Sequence, residues 1–305
     1  MQTNLLLTPT TLRTIDQQIE KLLRDLGNPS PPLNLDQVRA LLKLDRRYYS
    51  SLDDSWLREK IHQMTVAGKQ VVSRPSLMLT VVKNLRLKGV LLADRRRILL
   101  DQELPEPKQR WAEAHEIVHN VVPWHEGIAH GDPEMTLRLG CQEQIEAEAN
   151  YGAGRLLFLG KRFDEMVVAG PVDFAALQSL HKAYGNTMTT TLWRIVELSL
   201  DASFGLVTAH PRDVDSSSEA IRYFLRSPNF AAEFATVTAA GLFSEVKRRC
   251  YGRRGPIGHG DFVLIDGRGE AYEFRFESFF NGHDALTLGK RVAPRNLSVM
   301  GAAVS

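Results

Sequence analysis

Cysteine is scarce: the 305 residues hold two, Cys141 and Cys250, far apart in the chain. Two such residues form neither a disulfide framework nor a C-x-x-C metal or redox site. Cys141 stands just ahead of a Glu/Ala-rich stretch and reads as a small structural thiol. Net charge is also small, +2 at neutral pH, so no strong global field recommends nucleic acid or acidic substrates. No apolar run is long enough to cross a bilayer. The N-terminal NLLLTPT is short and lacks the basic start of a secretory signal. These absences make a cytoplasmic protein without a membrane partner the expectation. What is present is ordinary globular composition, 43% hydrophobic and 24% charged, with length enough for two domains.

Against that background residues 107–123, PKQRWAEAHEIVHNVVP, stand out. Pro107 suits a first helical turn, where its missing N–H costs nothing, and Pro123 ends the pattern about four turns later. Ala112, Ala114, Ile117, Val118, Val121 and Val122 give this helix an apolar body. His115 and His119 are four apart, so both imidazoles leave one face, one turn above the other. That spacing suits a tetrahedral cation held by two ring nitrogens at roughly 2 Å. Glu116 follows the first histidine and can reach a metal-bound water without becoming a ligand. H-E-x-x-H is the zincin arrangement of two ligands and a general base on one helix. A bare match also arises by chance on a half-exposed helix face, so a third ligand matters.

A candidate follows in residues 142–150, QEQIEAEAN, which predict a second helix running to about Leu159. Glu146 and Asn150 share a face. A carboxylate ligand with a polar group one turn later can close the metal shell and bond a ligand histidine's free ring N–H. Glu143 and Glu148 are the alternatives to Glu146.

QRWAEAHEIVHN followed by EAEANYGAGRLLFL resembles the ImmA/IrrE group of metallo-endopeptidases. The pattern there is R-F-x-x-A-H-E-x-x-H, then E-x-E-A-N-x-F-A-x-x-L-L-x-P. The resemblance covers roughly residues 35–210. It implies zinc on His115, His119 and Glu146 with Glu116 catalytic, and a narrow protein substrate, typically a helix-turn-helix repressor in stress or mobile-element control. This chain departs from the pattern at four places: Val118 for a frequent glycine, Trp111 for phenylalanine, Gly152 for an aromatic, and Leu159 for the final proline. The last two change what packs behind the second helix.

Upstream, Leu12, Ile15, Ile19, Leu22, Leu23 and Leu26 have helical spacing, with Thr10 or Thr11 as cap. Asn34 or Asp36 caps a second helix carrying Val38, Leu41, Leu42 and Leu44. Residues 53–87 read as a helical face through Trp56, Leu57, Ile61 and Met64, then a Leu/Val-rich stretch. The runs 89–93 and 98–100 predict a β-hairpin with Asp94, Arg95, Arg96 and Arg97 as its solvated tip. Residues 98–101 are expected to be the edge along which an extended substrate pairs.

Downstream, Asp173 caps a helix through Phe174, Leu177 and Leu180, and a turn at Gly185 leads to a helix through Leu192, Trp193, Val196 and Leu198. That is the outline of a helix-turn-helix. Its second helix offers Arg194 as the one nearby cation, so direct DNA contact is not expected. Residues 215–218 read as a loop, 220–225 and 230–242 as helices, and 261–266 and 270–278 as strands around a turn at Gly267 and Gly269. Tyr272, Phe274 and Phe276 alternate with charged residues, so one strand face is buried. Lys247, Arg248, Arg249, Arg253 and Arg254 form a solvated basic patch.

The expected architecture is α+β. A zincin-like core occupies residues 1–165, a helix-turn-helix-like segment 166–205, and a smaller α+β domain, sensor-like by resemblance, 206–305. The expected activity is hydrolysis of a peptide bond, with Glu116 moving the proton and zinc as cofactor. Manganese or iron fits the same donors, since availability as well as affinity selects a metal. Tyr151, Tyr184, His125 and His210 are the candidates for steadying the oxyanion. The alternatives are a metal-stabilised transcriptional regulator or binding module without catalysis, and a hydrolase of small peptides.

Overall fold

The computed structural model describes residues 2–3, 7–49, 89–91, 97–125, 139–170, 173–214 and 220–294. The expected helical face at 53–87, residues 94–96 of the hairpin tip and the loop at 215–218 lie outside them, while Arg97 of the tip begins a strand. The fold is α+β, as the sequence predicts. Chain contacts divide it into two units. One comprises Leu7–Phe163 with Ala183–Asn186; the other comprises Met1–Leu6, Asp164–Lys182 and Thr187–Ser305.

The first unit is built on helices α1 (Pro9–Asp25), α2 (Leu35–Leu42), α3 (Glu106–Val121) and α4 (Leu139–Leu157). The hydroxyl of Thr8, not Thr10 or Thr11, caps α1 by accepting from the Thr11 N–H. Pro9 then takes the first turn, where no N–H is needed. Asn34 caps α2 through the Asp36 N–H at 2.8 Å. α1 turns Ile15, Ile19, Leu22 and Leu23 inward, each contributing roughly 1.5–3 kcal/mol of burial. α4 packs against both α1 and α3. Its inner face is Ile145, Ala149, Ala153 and Leu156, with the two alanines at its middle permitting close approach.

Ion pairs fix the outer helices to this pair. Glu113 of α3, 2% exposed, accepts from Nε of Arg39 at 2.6 Å and from a terminal nitrogen of Arg46 at 2.9 Å. The buried Arg155 of α4 pairs with Asp16 of α1 at 2.7 Å, and the Tyr151 hydroxyl donates to the same carboxylate. α4 closes with Leu159 and Gly160 both left-handed, φ +58°. Proline is locked near −65° and cannot hold that position. The leucine found where the family pattern has proline therefore suits this helix end.

A small sheet lies beside α3, with strands β2 (Asp45–Tyr49), β3 (Gly89–Leu91) and β4 (Arg97–Asp101) in the order β2-β4-β3. β3 and β4 are antiparallel, Gly89 opposite Leu100, as the hairpin reading predicts. β2 adds to β4 in parallel, Asp45 opposite Arg97. Residues 98–101 are therefore the middle of the sheet and not its edge. Residues 98–100 are paired on both sides, which removes the substrate-pairing role expected for them.

In the second unit, helices α5 (Lys161–Ala169, which begins in the first unit), α6 (Phe174–Tyr184) and α7 (Met188–Leu198) precede an antiparallel sheet. Its strands are β5 (Ser203–Thr208), β6 (Ile221–Arg226), β7 (Gly255–Ile265), β8 (Ala271–Phe280) and β9 (Ala285–Pro294). Their order is β6-β5-β9-β8-β7, extended by β1 (Gln2–Thr3), which pairs in parallel with β6. Helices α8 (Pro228–Glu233) and α9 (Ala239–Arg248) lie between β6 and β7 in the chain. Phe204, Phe224, Phe262, Phe274 and Phe276 from the sheet meet Phe230, Phe234 and Phe243 from these helices in one core.

Two helical expectations are corrected here. Residues 221–226 are strand β6, because Phe224 and Leu225 are buried as part of a sheet. The helix expected over 230–242 is two helices, capped separately by the hydroxyls of Ser227 and Thr238. Asp173 does cap α6, accepting from the Ala176 N–H at 2.8 Å. In α7 the side chain of Arg194 is 3% exposed and pairs with Asp164 and Glu197, while the helix packs on β5, β6 and β9.

Candidate metal centre

His115 and His119 leave α3 on one face, and Glu146 arrives from α4. The Nε2 atoms of the two histidines are 3.1 Å apart. One Glu146 oxygen lies 3.2 Å from Nε2 of His115, and the other 3.8 Å from Nε2 of His119. Among the described residues this is the group whose donors converge closely enough for one cation. Ligands about 2.05 Å from a tetrahedral ion stand about 3.3 Å from each other. With one donor atom from each residue, the three lie within 4.8 Å of one another, so the group could hold a metal ion. Glu146, rather than Glu143 or Glu148, completes the triad.

The electrostatics are those of ligands facing inward. Burial opposes a charge on His115, yet its hydrogen bond to Glu146 and the charges of Glu116 and Glu146 outweigh that and raise its pKa. Burial and the neighbouring His115 push His119 down to about 3, so this ring is neutral and its lone pair available. Burial works to raise the Glu146 pKa, but the bond to His115 and the nearby histidines hold it below the usual carboxylate range. Burial also lowers His125, against the pull of Glu148.

The remaining expected site residues fall in different places. Glu116 is 7% exposed and lies near enough to act on His115. Asn150 places Oδ1 3.1 Å from Nδ1 of His115, the orienting contact its spacing predicts. Tyr184 packs with Phe158 and Phe163. Phe158 lies twelve residues beyond Glu146, about 18 Å along the helix axis, so Tyr184 is a core ring and not a neighbour of the triad. Tyr151 is engaged by Asp16. His210 belongs to the other unit, edge-on to Phe280. His125, beyond α3 in a short 3-10 turn, contacts His119 directly, Nδ1 to Nδ1 at 3.0 Å. The side chain of Cys141 lies outside the described residues.

Gly152 sits where α4 crosses α3. A Cβ added there would meet Cγ1 of Val118 at 2.5 Å, closer than real contacts allow. The two helices carrying the triad thus touch through a bare backbone on one side and a branched side chain on the other.

No protein-family model matches this chain, and no curated protein sequence matches it. Among solved structures, a Mycobacterium tuberculosis transcriptional regulator is similar over 92% of this chain and 88% of its own, with a TM-score of 0.48 and 12% identity. Likeness that remote transfers no function. Among the described residues no helix is long and apolar enough to cross a membrane.

Proposed function

We propose that this chain is a zinc-dependent endopeptidase of the ImmA/IrrE type, with His115, His119 and Glu146 holding the metal and Glu116 as general base. The observation that carries this reading is the convergence of His115, His119 and Glu146 with Glu116 next to the first ligand on the same helix. His115, His119 and Glu146 would hold the ion, which would supply Lewis-acid polarisation of a carbonyl and a more acidic water. Glu116 takes the proton of the attacking water at a carboxylate oxygen and returns it to the leaving amine. Asn150 orients His115 from outside the ligand set.

The family pattern also supports a dedicated protein substrate, a helix-turn-helix repressor, in place of general digestion. Two of the chain's departures from that pattern are accommodated locally, Leu159 by its left-handed backbone and Gly152 by its contact with Val118.

The test is Glu116→Gln in the full chain, assayed for metal content and for cleavage of candidate repressors and of an unstructured generic peptide. The proposal predicts unchanged metal, loss of repressor cleavage, and little turnover of the generic peptide by wild type. Unchanged behaviour of Glu116→Gln in every assay points to a metal-stabilised regulator or binding module. Efficient turnover of the generic peptide points to a small-peptide hydrolase.

A further inference from the structure

His125 lies six residues beyond His119, in the 3-10 turn Pro123–His125 that follows α3, and is 4% exposed. Its Nε2 is 3.1 Å from Oε2 of Glu148, and Glu148 is 2% exposed. The same oxygen accepts from the indole N–H of Trp124 at 2.6 Å. The other Glu148 oxygen accepts from the side-chain amide of Gln144 at 2.9 Å. Both Glu148 oxygens thus accept from fixed N–H donors, and Nε2 of His125 lies within hydrogen-bond reach of one of them.

The proton count along this chain of contacts has one solution that leaves His119 able to bind a cation. His119 presents Nε2 to His115 and Glu146, so its own proton must sit on Nδ1. The 3.0 Å contact from that Nδ1 to Nδ1 of His125 holds a single proton, which His119 donates. His125 then accepts at Nδ1, carries its proton on Nε2 and donates it to Glu148. The carboxylate thereby fixes two tautomers in series. The other ligand histidine is served differently, since Nδ1 of His115 faces the neutral amide oxygen of Asn150.

We propose that His125 and Glu148 are positioning residues for the cation site. They form a buried carboxylate–imidazole relay that locks the tautomer and orientation of His119 and makes it the stronger of the two histidine donors. The proposal rests on the metal reading of His115, His119 and Glu146. Glu148 matches the second glutamate of the E-x-E-A-N run. His125 stands beyond Pro123, outside the helical repeat, so the fold and not the spacing brings it to His119.

The experiment is zinc titration against a chromophoric chelator, with metal-free full-length wild type, His125→Leu, His125→Asn and Glu148→Gln. Thermal melting of each metal-free form accompanies it. Histidine 15N spectra of the zinc-loaded forms report on the His119 Nδ1–H. Wild type should bind zinc and show that proton in a hydrogen bond. His125→Leu should bind about 10- to 100-fold more weakly and lose the signal. His125→Asn keeps an acceptor beside His119 but cuts the link to Glu148, and should fall between; Glu148→Gln should match it. If His125→Leu does not fold, the Asn and Gln variants carry the test. Variants that bind zinc as tightly as wild type overturn the relay and leave the metal site standing. Affinity losses that track melting temperature, with the His119 signal unchanged, overturn it equally. A wild type that takes up no zinc overturns both readings.

Discussion

A Cβ at Gly152 would stand 2.5 Å from Cγ1 of Val118 and 3.3 Å from Cγ2 of Ile15, so α4 crosses α3 and α1 at backbone contact. The bare backbone is on α4 and the branched side chain on α3. Gly152→Ala should therefore destabilise by about 1–3 kcal/mol through overpacking, in spite of a helix-propensity gain near 1 kcal/mol. Val118→Ala in the same chain should recover part of that loss. A denaturation double-mutant cycle reads the coupling; strictly additive effects would contradict the contact.

Glu113 supplies a second anchor of α3. Replacing it with glutamine leaves Arg39 and Arg46 with only the exposed Asp36 as counter-charge. A fully buried pair broken this way costs about 3–5 kcal/mol. The Arg46 side chain is 29% exposed, so about 2–3 kcal/mol is expected here. Urea denaturation of the metal-free chain measures it, and a change under about 0.5 kcal/mol would mean that the cluster is only a surface ornament.

Helical periodicity puts His115 and His119 on one face and Glu146 on a face with Asn150, but it leaves Glu143 and Glu148 as alternatives, and the packing of α4 on α3 selects Glu146. Other parts are not legible for physical reasons. β5 is buried along its whole length, with α7 and the phenylalanine core both against this sheet, so no polar alternation marks it as a strand. β6 shows no clean alternation either, and its run IRYFLR passes for a helix. The central place of β4 depends on β2, whose DRRYY carries charge where a strand signal would be apolar. Ser227 and Thr238, each before a helix start, were the cap signals for α8 and α9. His125 stands outside any repeat, and only the turn after Pro123 brings it to His119.

Protons should compete with metal at this site. The His115 pKa is raised above its ordinary 6.5. In the metal-free fold its contribution is fully present below 6.5 and is lost as pH rises through the folded value. His119 acts the other way. Its depressed pKa, about 3, means the metal-free fold loses stability as pH falls from 6.5 towards 3. A cation needs both rings neutral, so the rise in melting temperature on adding zinc should grow between about pH 6 and pH 8. A zinc effect that is flat across that range would contradict ligation by His115.

The account turns on whether His115, His119 and Glu146 bind one cation together. Elemental mass spectrometry on protein purified without added metal, then reloaded with zinc, tests this for wild type, His115→Ala, Glu146→Ala and Glu116→Gln. One metal per chain is expected in wild type and in Glu116→Gln, with loss in both ligand variants. A wild type that stays empty after zinc is supplied, or ligand variants that keep a full complement, would contradict the centre described here.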